Sequence, residues 1–274
     1  MTYTGNSKSD ENMKAWEYII DSIPLRGSWN MAVDDYLFQL LTDTPKTYLR
    51  FYSWKNPTVS LGYSQKRREV VNEDYCREQG IDIVRRITGG KLVLHSKEVT
   101  YCICSSDREL FTNTINESYK RISKALISGL KAMGMAPYLA ETSNPAYLKG
   151  NLPCFSYPAK DEIKIAGKKI IGSAQKRIGD KFLQHGSIPL KEDDERLKRI
   201  SCLAKGREKI RMIPVSNALG RDVYFDSVVS YLASGFSKYF SIELKSKTLT
   251  QKEKTAIAKI EKNRYLNPEW IKRR

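Results

Sequence analysis

Leu152-Pro-Cys-Phe-Ser-Tyr-Pro158, followed by Ile163-Lys-Ile-Ala-Gly-Lys-Lys-Ile-Ile-Gly-Ser-Ala-Gln175, is the stretch around which the chain is organised. Pro153 and Pro158 restrict φ and leave the loop between them few conformations, so Cys154 is held in a constrained segment. Downstream, alternating residues predict two strands joined by a tight turn at Ala166-Gly167-Lys168. Lys169 opens the second strand, which runs into Gly172-Ser173-Ala174. Three small residues in a strand leave space above a sheet for backbone or ligand. A thiol on a stiff loop, an ammonium on a strand and a floor of small residues fit an acyl-transfer site. A buried cysteine beside a solvated lysine is the alternative, and the rest of the chain has to separate the two.

Of 274 residues, 41% are hydrophobic and 28% charged, enough to bury one large core. No apolar run approaches a membrane span. The polar segment Asn6–Asn12 lacks the apolar centre of a signal peptide, so a cytoplasmic location is expected. Five cysteines without framework spacing fit reduced thiols, which makes a thiol nucleophile available. The net charge is +16, and nucleic acid is one partner such a charge suits. However, Lys and Arg are spread among Asp and Glu, and no basic-aromatic motif stands out. A broad positive field equally suits acidic protein partners.

Trp16–Ile20 predicts a first strand, and Ser28 an N-cap before a helix with Met31, Ala32, Tyr36, Leu37 and Leu40 on its apolar stripe. Asp34 and Asp35 are expected on its solvated edge. Thr47–Tyr52 and Thr58–Leu61 read as strands around a turn, and Asn72–Gln79 as a short helix stopped by Gly80. Ile81–Gly90 carries Arg85 and Arg86 into a Thr88-Gly89-Gly90 turn, Lys91–His95 leaves it, and Glu98–Cys104 is expected to pair with that strand. With Lys91, this turn is either an anion-facing cradle of backbone N–H groups or an ordinary hairpin turn. Cys102 and Cys104 share a strand face with no second cysteine pair nearby, which favours packing over metal. Asn116–Met133, Asp193–Leu203, Asp226–Phe240 and Gln251–Lys262 predict helices, the last with a Thr250/Glu253 capping box. Lys181–Ile188 predicts another strand beyond a Gly179-Asp180 turn. His95 and His185, the only histidines, each lie near glycines and are either buried hydrogen-bonded residues or part of a site. Without internal repeats, the chain reads as one catalytic domain over residues 1–245 with a short helical tail over 246–274.

Seven ordered stretches carry a resemblance: Ser28–Ala32, Leu49–Trp54, Ser60–Gly62, Arg85–Gly90 with His95, Glu98–Tyr101, Lys169–Ala174 and His185–Ser187. In these the chain resembles the biotin/lipoate protein ligase superfamily over roughly residues 25–190. Pro153-Cys154-Phe155 with Gly172–Gln175 is similar to its cysteine-dependent octanoyltransferase branch, related to lipoate-protein ligase A. The resemblance implies an α+β fold with a mixed, largely antiparallel sheet flanked by helices. It implies Cys154 and Lys169 as the catalytic thiol and amine. It places Arg85, Arg86, Thr88, Gly89, Gly90, His95, Gly172, Ser173, Ala174, His185 and Gly186 around the substrate, with Val93, Ile163 and Ile171 candidates for the acyl wall. The implied reaction takes octanoyl from an acyl carrier protein to the lysine of a lipoyl domain, as in 2-oxoacid dehydrogenases or the glycine cleavage H protein. It needs no metal or cofactor, and no nucleic acid or membrane partner. The alternatives are an ATP- and Mg-dependent lipoate ligase, or an amidotransferase moving octanoyl or lipoyl between lipoyl-type proteins.

Overall fold

The computed structural model describes residues 13–111, 114–141, 162–202 and 212–273. Cys154 and its loop lie outside the described residues. Six strands form the main sheet: β1 (Ala15–Ile20), β2 (Thr47–Tyr52), β6 (Glu98–Ser105), β10 (Gly172–Ile178), β11 (Lys181–Pro189) and β12 (Glu243–Ser246). Their order is β10-β11-β6-β2-β1-β12. β1 runs parallel to β2 and β12, and the other ladders are antiparallel, so the sheet is mixed and largely antiparallel, as the resemblance implied.

Alternation along the strands feeds two cores. On β6, Val99, Tyr101 and Ile103 enter one cluster while Cys102 and Cys104 enter the other. A sheet apolar on both faces has to be covered on both. Helices α4 (Ile115–Ala132) and α7 (Phe225–Phe240) supply one cover, with Leu126 and Phe236 in its centre. These two helices touch backbone to backbone, because a Cβ on Gly235 would lie 2.4 Å from the Gly129 nitrogen. Helices α1 (Gly27–Gln39) and α8 (Gln251–Ile260) supply the other. The Thr250/Glu253 capping box is present at the start of α8.

Two expectations for α1 fail. Its N-cap is Arg26, and Ser28 instead sits in the first turn, where its hydroxyl donates to Glu261 Oε1 at 2.6 Å. Asp34 and Asp35 are buried rather than solvated, because α1 is covered by the sheet on one side and the C-terminal segment on the other. Tyr265 donates to Asp35 Oδ2 at 3.1 Å, and Arg264 pairs with the same oxygen.

A smaller sheet has β3 (Thr58–Leu61) at its centre, parallel to β4 (Asp82–Arg85) and antiparallel to β5 (Val93–His95). β4 and β5 are therefore not hairpin partners, and β6 pairs with β2 and β11 rather than with β5. β2 and β3, read from sequence as neighbours around a turn, belong to different sheets. Turn residues announce a reversal but not which third strand slips between its arms. Asn72 caps the helix α3 (Glu73–Glu78), and Gly80 ends it at φ +61°. The third sheet holds β7 (Tyr138–Leu139), β8 (Ile163–Ile165) and β9 (Lys168–Lys169). Ala166 and Gly167 turn from β8 to β9 with φ +47° and +77°, the paired positive values of a tight hairpin. β9 ends at Lys169, and Ile170–Ile171 carry the chain into β10, so the predicted second strand is divided between two sheets. Among the described residues, no helix is long and apolar enough to cross a membrane.

Candidate active site

A partly open cavity, about 370 Å³ when the solvent space at its mouth is included, lies between the main sheet and the β3–β5 sheet. Gly172, Ser173 and Ala174 open β10 directly opposite Ser187, Gly186 and His185 of β11, and all six line it. In two of the three pairs, Gly172–Ser187 and Ser173–Gly186, small faces small and keeps this end of the ladder low, which is the space the Gly-Ser-Ala run predicted. Ser60, Arg86, Val93 and His95 face it from the smaller sheet, and Met31, Tyr52, Trp54 and Thr100 complete the wall. Ile163 and Ile171 pack in the main core instead.

Both histidines line this cavity, and each is held at both ring nitrogens. His95 Nδ1 donates to Glu98 Oε1 at 2.7 Å, and its Nε2 is 2.7 Å from Ser60 Oγ. Glu98 also receives the hydroxyls of Thr100 and Ser187 and the Trp54 indole N–H, while Trp54 stacks on His95 at 4.0 Å. His185 Nδ1 is 3.1 Å from Asp34 Oδ2, and Nε2 is 2.7 Å from Thr88 Oγ1. Burial pushes the His185 imidazole below its ordinary value against the pull of Asp34, so the ring is neutral at pH 7. Facing a carboxylate, Nδ1 then carries the proton, and Nε2 accepts from Thr88. Burial alone would raise Asp34; bonds from His185 and Tyr52 and the charge of Arg50 outweigh it and hold the carboxyl low. Arg50, wholly buried, reaches Asp34 at 2.7 Å and also pairs with Asp21.

The two arginines of the Gly-Gly turn have different surroundings. Arg86 folds back over the turn and donates to the carbonyls of Gly89 (2.8 Å), Lys91 (2.7 Å) and Ser60 (2.9 Å). Arg85 does not line the cavity. Its guanidinium is buried and donates to the carbonyls of Gly62 and Gln65, and to those of Trp270 and Ile271. Gly90 has φ +89° and presses its carbonyl on Gly62, where a Cβ would come within 2.0 Å of it. Thr88, Gly89 and Gly90 are thus neighbours of the cavity rather than part of its lining: Thr88 through His185, and Gly90 beside Arg86 and Ala174.

Lys169 is 1% exposed and forms an ion pair with Glu162, which is 5% exposed. It sits on β9, three residues before the first floor residue of the cavity, and its carbonyl accepts from Ile213 at 2.8 Å. A buried ammonium beside a carboxylate is a fixed positive charge, suited to steadying an anion. Cys154, the predicted partner of this amine, lies outside the described residues. Burial raises the thiols of Cys102 and Cys104, which fits packing rather than nucleophiles. Among the described residues, no group of three His, Cys, Asp or Glu is placed to hold a metal ion.

Sequence reasoning missed Glu98, Glu162, Asp34 and Trp54. Each acts through a partner distant in sequence or set by sheet register, as with Asp34 and His185 at a separation of 151 residues. The signal that was available is chemical: a carboxylate within a buried strand, such as Glu98 among Val99, Tyr101 and Ile103, requires a partner.

The catalytic-domain model of lipoyl protein ligases A and B matches residues 26–237. The octanoyltransferase LipM of Carboxydothermus hydrogenoformans is 35% identical over 269 residues, covering 94% of this chain and 99% of that protein. The octanoyltransferase LipM of Clostridioides difficile is 34% identical over 278 residues, covering 96% and 100%. A bi-partite lipoate protein ligase from Thermoplasma acidophilum superposes with a TM-score of 0.77 at 21% identity, covering 94% of this chain and 97% of that one, a likeness of fold. The family match over most of the chain and the near full-length relatedness show that the chain belongs to the lipoyl protein ligase A/B catalytic-domain family.

Proposed function

We infer that this chain is an octanoyltransferase of lipoate biosynthesis that works through a thioester on Cys154. The observation that carries the reading is the near full-length kinship to octanoyltransferases, and the walled cavity over Gly172–Ala174 supplies a place for the acyl chain. Octanoyl is donated by a carrier-protein thioester and accepted by a lysine of a lipoyl domain.

In the first half-reaction the Cys154 thiolate attacks the donor carbonyl. A new C–S bond forms, the old C–S bond breaks, and the departing carrier thiolate takes up a proton. One thioester replaces another, so no ATP is consumed. In the second, the neutral acceptor amine attacks, a C–N bond forms and the Cys154 C–S bond breaks. The proton lost by nitrogen is balanced by the one the departing Cys154 sulfur takes up, leaving an amide and the free thiol. A free thiol is only a few per cent ionised at pH 7, and a nearby cation raises that fraction. The Lys169 ammonium, paired with Glu162, is the cation assigned to the thiolate and to the oxyanion of each tetrahedral intermediate. Such a donor is typically worth about 3 kcal/mol of barrier. Arg86 and the turn it folds over border the acyl chain, with His95 and His185 in the wall.

Intact mass spectrometry tests the reading. The chain incubated with octanoyl-carrier protein gains one octanoyl group, and Cys154→Ser gains none while remaining folded. An acylated Cys154→Ser protein, or modification of a lipoyl domain that needs free lipoate and ATP instead of the carrier, overturns it. Transfer from an octanoylated lipoyl-type protein alone would make the chain an amidotransferase.

A further inference from the structure

A second concave surface lies one loop away from the cavity. Lys66, Arg67 and Arg68, at the start of the helical turn α2 (Arg67–Val70), and Lys272, at the end of α9 (Pro268–Lys272), line a groove of about 830 Å³ with Glu69 and Glu73. Lys66 pairs with Glu69 at 2.9 Å and Arg67 with Glu73 at 2.7 Å, so the two carboxylates are spent on two of the four cations. Arg68 and Lys272 are exposed and leave the groove positive. Next to Lys272, exposed Arg273 lies 4.5 Å above the Tyr63 ring.

The groove is rigidly joined to the site. Tyr63 N donates to Thr88 O at 2.9 Å, and Gly62 packs on Gly90. Arg85 binds the carbonyls of Gly62, Tyr63 and Gln65, the residue just before Lys66. Gly90 adjoins Arg86 and Ala174 of the cavity wall.

We propose that this groove is the docking surface for an acidic donor carrier protein, whose flexible acyl-bearing arm reaches past the Gly62–Gly90 contact into the cavity. The proposal rests on the octanoyltransferase reading above. Charge complementarity selects an acidic partner, and the chain's +16 field draws such a partner in. Position selects the donor over the acceptor. A reacting thioester on a long arm is delivered by a body bound to one side of the opening. A lysine fixed to a domain's own backbone has to meet the opening directly.

The test uses the full chain carrying Arg68→Glu and Lys272→Glu, with Lys272→Glu alone as a second variant, each checked for an unchanged melting temperature. Acyl-enzyme formation is followed with octanoyl-carrier protein and with octanoyl-pantetheine, a donor without a protein body. The expected result is a fall in kcat/KM of about tenfold or more for the carrier donor, with a flattened salt dependence. The rate with octanoyl-pantetheine and the acceptor step should be unchanged. Unaltered carrier kinetics, an equal loss with both donors, or a loss confined to the acceptor step each overturns the proposal. Failure of the unsubstituted chain to form an acyl-enzyme from either donor defeats the octanoyltransferase reading itself, a result separable from all of these.

Discussion

Lys169 and Glu162 form an ion pair across the β8–β9 hairpin, with both side chains out of water. Removing one member of a buried pair leaves the other's charge poorly compensated and costs about 3 kcal/mol, whereas replacing both with apolar or neutral groups is often close to neutral. Glu162→Gln is therefore expected to lower stability by about 3 kcal/mol, and Lys169→Met with Glu162→Gln to recover part of that loss. A urea-denaturation double-mutant cycle measures the coupling. Strict additivity of the two substitutions would show that the pair is not an energetic unit.

His185 makes stability depend on pH with a definite sign. Burial lowers its pKa in the fold from an ordinary 6.5, so below that pH the unfolded chain binds the extra proton. Its contribution is complete above pH 6.5 and is lost as the pH falls toward the lowered folded value. Asp34, also held low, adds a loss that begins only near its ordinary 3.8. Thermal unfolding of the native chain and His185→Gln between pH 5 and 8 should show the steeper acid-side decline in the native chain. Parallel curves would contradict it.

Gly186 sits where the cavity floor meets the main core. A methyl group there would come within 2.4 Å of Tyr101 Cε1 and 2.6 Å of Ser173 Oγ. Gly186→Ala should cost roughly 1–3 kcal/mol of stability by overpacking. It should also penalise an octanoyl donor more than a hexanoyl donor, since each buried methylene contributes about 0.8 kcal/mol. The ratio of kcat/KM for the two donors reads this out, and an unchanged ratio would move the acyl chain elsewhere.

Arg85→Lys keeps the charge but loses the planar fork that reaches carbonyls in two distant segments of backbone, Gly62–Gln65 and Trp270–Ile271. The expected cost is about 2 kcal/mol. Hydrogen exchange over residues 268–272 should quicken in the variant, and unaltered protection there would refute the clasp.

Local chemistry made much of this molecule readable in advance. The Gly167 hairpin, the Gly80 helix stop, the Thr250 cap and the Gly172–Ala174 floor are each decided by a few adjacent residues. What sequence could not yield is pairing at a distance. Nothing in the Arg85–His95 stretch announces that β3 lies between its two strands. The solvated reading of Asp34 failed because its partners, Arg50, Tyr52 and His185, come from two other strands. Arg85 and Arg86 look alike in sequence, yet one binds the tail and the other the turn.

The clasp between Arg85 and the carbonyl of Ile271 spans 186 positions of chain. During synthesis the amino-terminal portion leaves the ribosome first, long before those closing carbonyls exist. The turn bordering the cavity thus acquires these anchors only after residues 270 and 271 have emerged, so a polypeptide that stops short of them carries every strand of the pocket without the brace that fixes its rim.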